Sequence, residues 1–312
     1  MVDIAPLSPH ELGTFCGVPR GGIDTTTKAA ILGIPFDMGN NPTRIGSRQG
    51  PDHIRRCSVP ERRYLFHSDR DPIDQLGVVD CGNVAVVPSR AEAAFEHIEA
   101  AVAGIHGAGV LPVTMGGDGS VTLPQLRAAK AAHGELAVVH CDAHTDAWDV
   151  DGAGPYTTTT TFLRAHEEGL VDPELTFHVG ARGSLSSLGG TSTAVSRLGH
   201  RIVGADEFAD RGHGDVADEL AAAIGDRAVY VCWDMDFFDP SAAPGVAVPE
   251  WGGPSVLEAL RFLRRLGSLH AVAYDVNTVS PPHDVQDMTG HLAARVIVEF
   301  LDLIAGRRSP AG

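Results

Sequence analysis

The 312-residue sequence predicts an α/β fold, a parallel sheet covered by helices on both faces. Three observations lead there. Short apolar, β-branched runs alternate with longer stretches of helical periodicity almost throughout. An apolar fraction of 43 per cent and a charged fraction of 21 per cent are ordinary for a globular chain able to bury a core. Aspartates also follow directly on apolar runs, and parallel sheets gather ligands outside the carboxyl ends of their strands.

The elements follow in order. Ala29–Pro35 and Gln75–Asp80 read as the first two strands. In Ala91–His106, Phe95, Ile98, Val102 and Ile105 recur at three- and four-residue steps, one face of a helix. Strand Gly109–Met115, helix Leu123–His133 and strand Leu136–Cys141 come next. Asp149–Thr161, with Gly152, Gly154, Pro155 and a threonine run from Thr157, reads as a surface loop. Helix Phe162–Gly169 and strand Leu175–Gly180 precede a second loop, Ser184–Thr193. Strand Arg201–Gly204, helix Asp215–Ile224, strand Ala228–Trp233, helix Pro254–Leu266, strand Leu269–Asp275 and helix Thr289–Ile304 complete the alternation. Without internal repeats or a long linker, one domain is expected over 29–305, between an N-terminal arm (1–28) and a C-terminal tail (306–312).

Charge and cysteine usage narrow the function. A formal net charge of −16 argues against nucleic acid or an anionic membrane as partner. No apolar run approaches the ~20 residues that span a bilayer. The first residues lack a basic stretch followed by an apolar one, so a cytoplasmic protein is expected. Cys16, Cys57, Cys81, Cys141 and Cys232 are scattered without a CxxC pair, which suggests neither a disulfide framework nor a thiolate zinc site.

Two strand ends carry the chemistry. Asp142, His144 and Asp146 follow the strand Leu136–Cys141, and Asp234 and Asp236 follow Ala228–Trp233. Alternation along an extended chain turns residues at i, i+2 and i+4 to one side. Any one of these aspartates alone would read as a turn or cap residue. Together they form a hard-donor set suited to Mn²⁺ or another first-row dication. Four ionised carboxylates in one crevice repel one another unless cations neutralise them.

At these residues the sequence resembles the ureohydrolase family of arginases and agmatinases. The matching runs are Gly116-Gly117-Asp118-Gly119-Ser120, Asp142-Ala143-His144-Thr145-Asp146, and Asp234 to Pro240 continuing to Ala243-Pro244-Gly245. Gly33-Ile34-Pro35-Phe36-Asp37, Gly46 to Pro51, Gly180 to Gly183 and Asp275-Val276-Asn277 extend the likeness over roughly Ala29 to Ile304. The resemblance implies a three-layer α/β/α fold with an eight-stranded parallel sheet, assembled as a homo-trimer or homo-hexamer. It also implies a pair of Mn²⁺ ions activating a hydroxide that attacks a guanidino or amidine carbon. Carried over, Asp142 and Asp234 bridge both ions, His144 and Asp236 complete one site, and Asp146 binds the other. Asp146 is then the proton acceptor, and Asp275 contacts the cationic substrate group.

The sequence departs from the family at places that matter. Gly119 replaces the histidine of Gly-Gly-Asp-His-Ser, so the ion beside Asp146 loses its nitrogen ligand. Thr158-Thr159 replaces a His-Gly pair whose histidine handles protons or contacts substrate, which puts Thr158 at a catalytic position. Asp275 stands for a glutamate, and Val246-Ala247 for Thr-Gly. His178 and His283 are candidate replacement ligands, whereas His140 reads as a packed core residue or a support for Asp142. Thr157–Thr161 and Ser184–Thr193 are expected to shape the substrate pocket. Two functions stay open: a metal-dependent hydrolase of a linear amidine or guanidino compound with altered substrate, or a non-catalytic homologue serving as a binding or scaffold protein.

Overall fold

A computed structural model describes residues 13–37, 43–148, 154–184 and 195–307. Its strands are β1 (Ala29–Gly33), β2 (Val79–Asn83), β3 (Leu111–Met115), β4 (Leu136–Cys141), β5 (Val171–Ala181), β6 (Arg201–Gly204), β7 (Ala228–Asp234) and β8 (His270–Asn277). They form one eight-stranded sheet in the order β2-β1-β3-β8-β7-β4-β5-β6, every pair parallel. The helices are α1 (Gly50–Ser58), α2 (Pro72–Leu76), α3 (Ala91–Gly107), α4 (Thr122–His133), α5 (Thr161–Glu167), α6 (Ala205–Arg211), α7 (His213–Ile224), α8 (Val256–Arg265) and α9 (Met288–Gly306). None among the described residues is long and apolar enough to cross a membrane.

Alternation along the strands divides the core into two layers. On β4, Ala137, Val139 and Cys141 pack with α7, α8 and α9, whereas Leu136 and Val138 face α3, α4 and α5. His140 continues the second set and packs against Phe162 of α5, the rings tilted with centroids 4.3 Å apart. Both faces are thereby buried, and the strands read as continuous apolar runs.

The connectivity sets the position of the site. From β1 to β3 the chain builds one half of the sheet, and from β4 to β6 the other. β7 and β8 then return to fill the gap between β3 and β4. The carboxyl ends of β3, β8, β7 and β4 are therefore lateral neighbours at the switch in strand order, where open α/β sheets bind ligands.

Some boundaries differ from the sequence reading, each for a local reason. Gln75 and Leu76 are helical: Asp71 caps α2 by accepting from Asp74 N–H, Pro72 opens it, and Gly77 closes it at φ +54°. The sequence reading has no helix at α1 or α6, which are short, at nine and seven residues. Strand β8 runs two residues beyond Asp275 to Asn277, which changes the role of that aspartate. The described part of the N-terminal segment is docked on the domain: Phe15 is buried and donates its N–H to Asp80 Oδ2 at 2.9 Å. Asp80 is in turn held by the buried Arg55 through two bonds of 2.8 Å. Of the loop Ser184–Thr193, all but Ser184 lies outside the described residues.

Candidate metal centre

The strand ends bring the expected donors together. Asp142 (1 per cent exposed), Asp146 (4), Asp234 (2) and Asp236 (3) are all buried. His144 Nδ1 lies 3.2 Å from Asp142 Oδ1 and 3.1 Å from Asp236 Oδ2, so these side chains form one corner. Ala143 N–H holds Asp236 Oδ1 at 3.0 Å. A second corner contains Asp142, Asp146 and His140, whose Nε2 is 2.8 Å from Asp142 Oδ2. Asp234 joins neither corner; its Oδ1 accepts from Asp236 N–H at 2.7 Å and from the hydroxyl of Thr278.

The electrostatics match a crowded acidic pocket. Burial, then the charge of Asp142, raises Asp146 well above the ordinary carboxylate range. Burial, then Asp236 and Asp142, does the same to Asp234. Asp236 is pushed up to about 6 by burial and by Asp142. Asp142 goes the other way: its burial is overcome by His140 and His144 beside it. His144 is held protonated well above its usual range by Asp236 and Asp142, against the cost of burial. The backbone is unusual here too. Asp146 and Thr278 hold φ of +45° and +65°, a left-handed conformation that costs a non-glycine residue ~1–3 kcal/mol and gathers at functional sites.

The donor set fits divalent cations. Asp142 Oδ2 is fully buried and lacks a well-aligned hydrogen bond, although His140 Nε2 stands 2.8 Å away. An orphaned carboxylate oxygen among mutually repelling acids is what a cation satisfies. The other acidic group with ligand-like spacing, His67, Glu299 and Asp302, is already neutralised by Arg264, Arg295 and Arg70.

The glycine-rich turn after β3 closes one side. A Cβ on Gly117 would lie 1.4 Å from the carbonyl oxygen of Phe36, so only glycine allows the chain to pass there. Asp118 caps the next turn, accepting from Ser120 N–H at 3.1 Å. Gly119 is hemmed in differently: a Cβ would meet Thr158 Cγ2 at 2.8 Å and Asp146 Oδ2 at 2.9 Å. The Thr158 methyl thus abuts the space that a side chain on residue 119 would need, so the two departures seen in sequence meet at one contact.

Asp275 is a correction. Its carboxylate does not reach the cluster but turns under α4, where it accepts from Thr122 Oγ1 at 2.5 Å, Thr114 Oγ1 at 3.2 Å and Tyr230 OH at 3.3 Å. It is wholly buried. Because β8 continues to Asn277, which pairs with Asp234, the residue at the level of the site is Thr278. A signal for this exists in the sequence: Thr278-Val279-Ser280 fits a Glu-Val-Ser pattern as well as Asp275-Val276-Asn277 does. Neither proposed replacement ligand joins the cluster. His283 sits in a turn against Ser280 Oγ at 2.9 Å, and His178 stands behind His140.

Comparison with known proteins bears on this geometry. A profile of the arginase family matches residues 27–302. The chain belongs to the arginase family. It is similar to a guanidinopropionase of Pseudomonas aeruginosa, 37% identical over 96% of both chains. A mitochondrial agmatinase of Gallus gallus is 34% identical, with 93% of this chain and 86% of the relative covered. Among solved structures, proclavaminate amidinohydrolase from Streptomyces clavuligerus superposes with a TM-score of 0.88 at 34% identity, covering 96% of this chain and 99% of that one. The three-layer α/β/α arrangement with its eight parallel strands is thus the arginase-family fold.

Proposed function

We propose that this chain is a divalent-metal-dependent hydrolase, with Mn²⁺ as its ion, that cleaves a C–N bond of a linear guanidino or amidine compound. Membership of the arginase family and likeness to a guanidinopropionase and an agmatinase support an enzyme of this class over a non-catalytic scaffold. The observation that carries the metal requirement is the buried, mutually repelling set Asp142, Asp146, Asp234 and Asp236 beside His144. Those side chains would hold the ions, which supply Lewis acidity and make water a nucleophile near neutral pH.

The protein groups divide the remaining work. Asp146, beside Asp142 and His140 in the second corner, takes the proton of the attacking water and returns it to the leaving amine. His144, the partly exposed member of its corner, faces incoming substrate. Thr278 steadies Asp234 through its hydroxyl. With Asp275 turned away, no further carboxylate on β8 meets a guanidinium, and Thr158 and Thr278 stand at that level instead. This supports a substrate altered from that of agmatinases; the assembly implied by the family resemblance is a cytoplasmic homo-trimer or homo-hexamer. Mn²⁺-loaded protein assayed on agmatine, 3-guanidinopropionate, 4-guanidinobutyrate and an N-formimidoyl amine tests the reading. Urea, ammonia or amine must be released above an Asp234→Ala control; no release from any of them defeats it.

A further inference from the structure

We propose that His140 supplies the nitrogen donor that Gly119 withholds, so that the ion position beside Asp146 is built from His140, Asp142 and Asp146. This rests on the acidic cluster being a metal centre, and it assigns a ligand at a place where the sequence alone suggested only a packed residue.

A side chain at position 119 is crowded as the site stands, because Thr158 Cγ2 and Asp146 Oδ2 border the place of its Cβ. The imidazole grouped with Asp142 and Asp146 is that of His140, 2 per cent exposed and two residues before Asp142. One ligating atom from each of His140, Asp142 and Asp146 lies within 4.8 Å of the others. The 2.8 Å between His140 Nε2 and Asp142 Oδ2 is close to the spacing of adjacent donors around one ion. Bonds of ~2.0–2.2 Å meeting near a right angle give about 3 Å. A hydrogen bond would suit the same distance, but the pair is poorly aligned for one.

The far side of the ring supports coordination. His140 Nδ1 is 2.9 Å from His178 Nδ1, and His178 Nε2 is 3.1 Å from His200 Nδ1. One hydrogen lies between each facing pair of nitrogens, so this buried chain has two polarities. Donation inward, from His200 toward His140, puts a hydrogen on Nε2 and aims a donor at Asp142. Donation outward leaves Nε2 as a bare lone pair and passes the Nδ1 hydrogen to His178. The outward form is that of a metal-bound histidine, which gives its other N–H to a neighbouring acceptor. His178 and His200 are then positioning residues that fix the tautomer and the ring.

The test is ion stoichiometry and affinity by elemental analysis and calorimetry after Mn²⁺ loading, with nitrogen couplings read by pulsed electron paramagnetic resonance. Wild type should bind two ions per chain. His140→Gln should bind one, with affinity for the other down more than 100-fold and one imidazole coupling lost. Adding Gly119→His with Thr158→Gly to that variant should restore the missing ion. If His140→Gln does not fold, judged by circular dichroism, His178→Phe replaces it and should weaken one ion 10–100-fold while sparing the other. Two ions at unchanged affinity in these variants, or imidazole couplings that do not change, would make His140 only a support for Asp142. A wild-type stoichiometry of one also overturns the assignment, without touching the hydrolase reading. No ion at all overturns both.

Discussion

Asp236→Asn should stabilise the metal-free protein and weaken the metal-loaded one. Asp236 is raised from 3.8 to about 6 by burial and by Asp142. A carboxyl that keeps its proton longer when folded stabilises most fully below its unfolded pKa. That stability is lost as pH rises from about 4 through about 6. The displacement of roughly two pH units corresponds to about 3 kcal/mol lost by pH 8, at ~1.36 kcal/mol per unit. Asparagine keeps an oxygen for Ala143 N–H but cannot ionise, so the variant escapes this loss. For 312 residues the unfolding entropy near the midpoint is about 0.65 kcal/mol/K, which converts 3 kcal/mol into about 4–5 °C. Chelator-treated wild type and variant, melted by calorimetry at pH 4.5 and pH 8, should differ little at the lower pH. The variant should melt higher at pH 8. Excess Mn²⁺ should reverse that order, because wild type gains binding energy the variant has lost. A variant less stable than wild type at pH 8 without metal would refute the crowding argument.

Four further outcomes follow from packing and from the site. Gly119→Ala should lower stability by about 1–3 kcal/mol through its contacts with Thr158 and Asp146, and adding Thr158→Ser should recover much of it; a thermal-melt double-mutant cycle reads the coupling. Asp275→Ala should cost about 2–4 kcal/mol by stranding the hydroxyls of Thr122 and Tyr230, whereas Thr278→Val should leave the fold intact and weaken ion binding measured by calorimetry. Arg55→Met should cost about 3–5 kcal/mol in denaturant unfolding, since it leaves Asp80 buried without its guanidinium partner.

The local pattern in the chain determined a great deal. Alternating periodicities place all eight strands to within a few residues and identify a parallel sheet, because strands buried on both faces must be continuously apolar. Asp142, His144, Asp146, Asp234 and Asp236 are legible for a related reason: polar residues at i, i+2 spacing just past a buried strand have one crevice to enter. The tertiary structure decided what depends on neighbours distant in sequence. Where β8 ends is set by its pairing with β7, and two extra strand residues carry Asp275 below the site and bring Thr278 level with Asp234. That Gly119 and Thr158 stand against each other is visible only when two loops meet. His140 is an unremarkable strand residue until β5 brings His178 behind it and the orphaned oxygen of Asp142 stands in front. Periodicity fixes which face a side chain takes, but the partners waiting on that face belong to other segments, and only the folded chain chooses them.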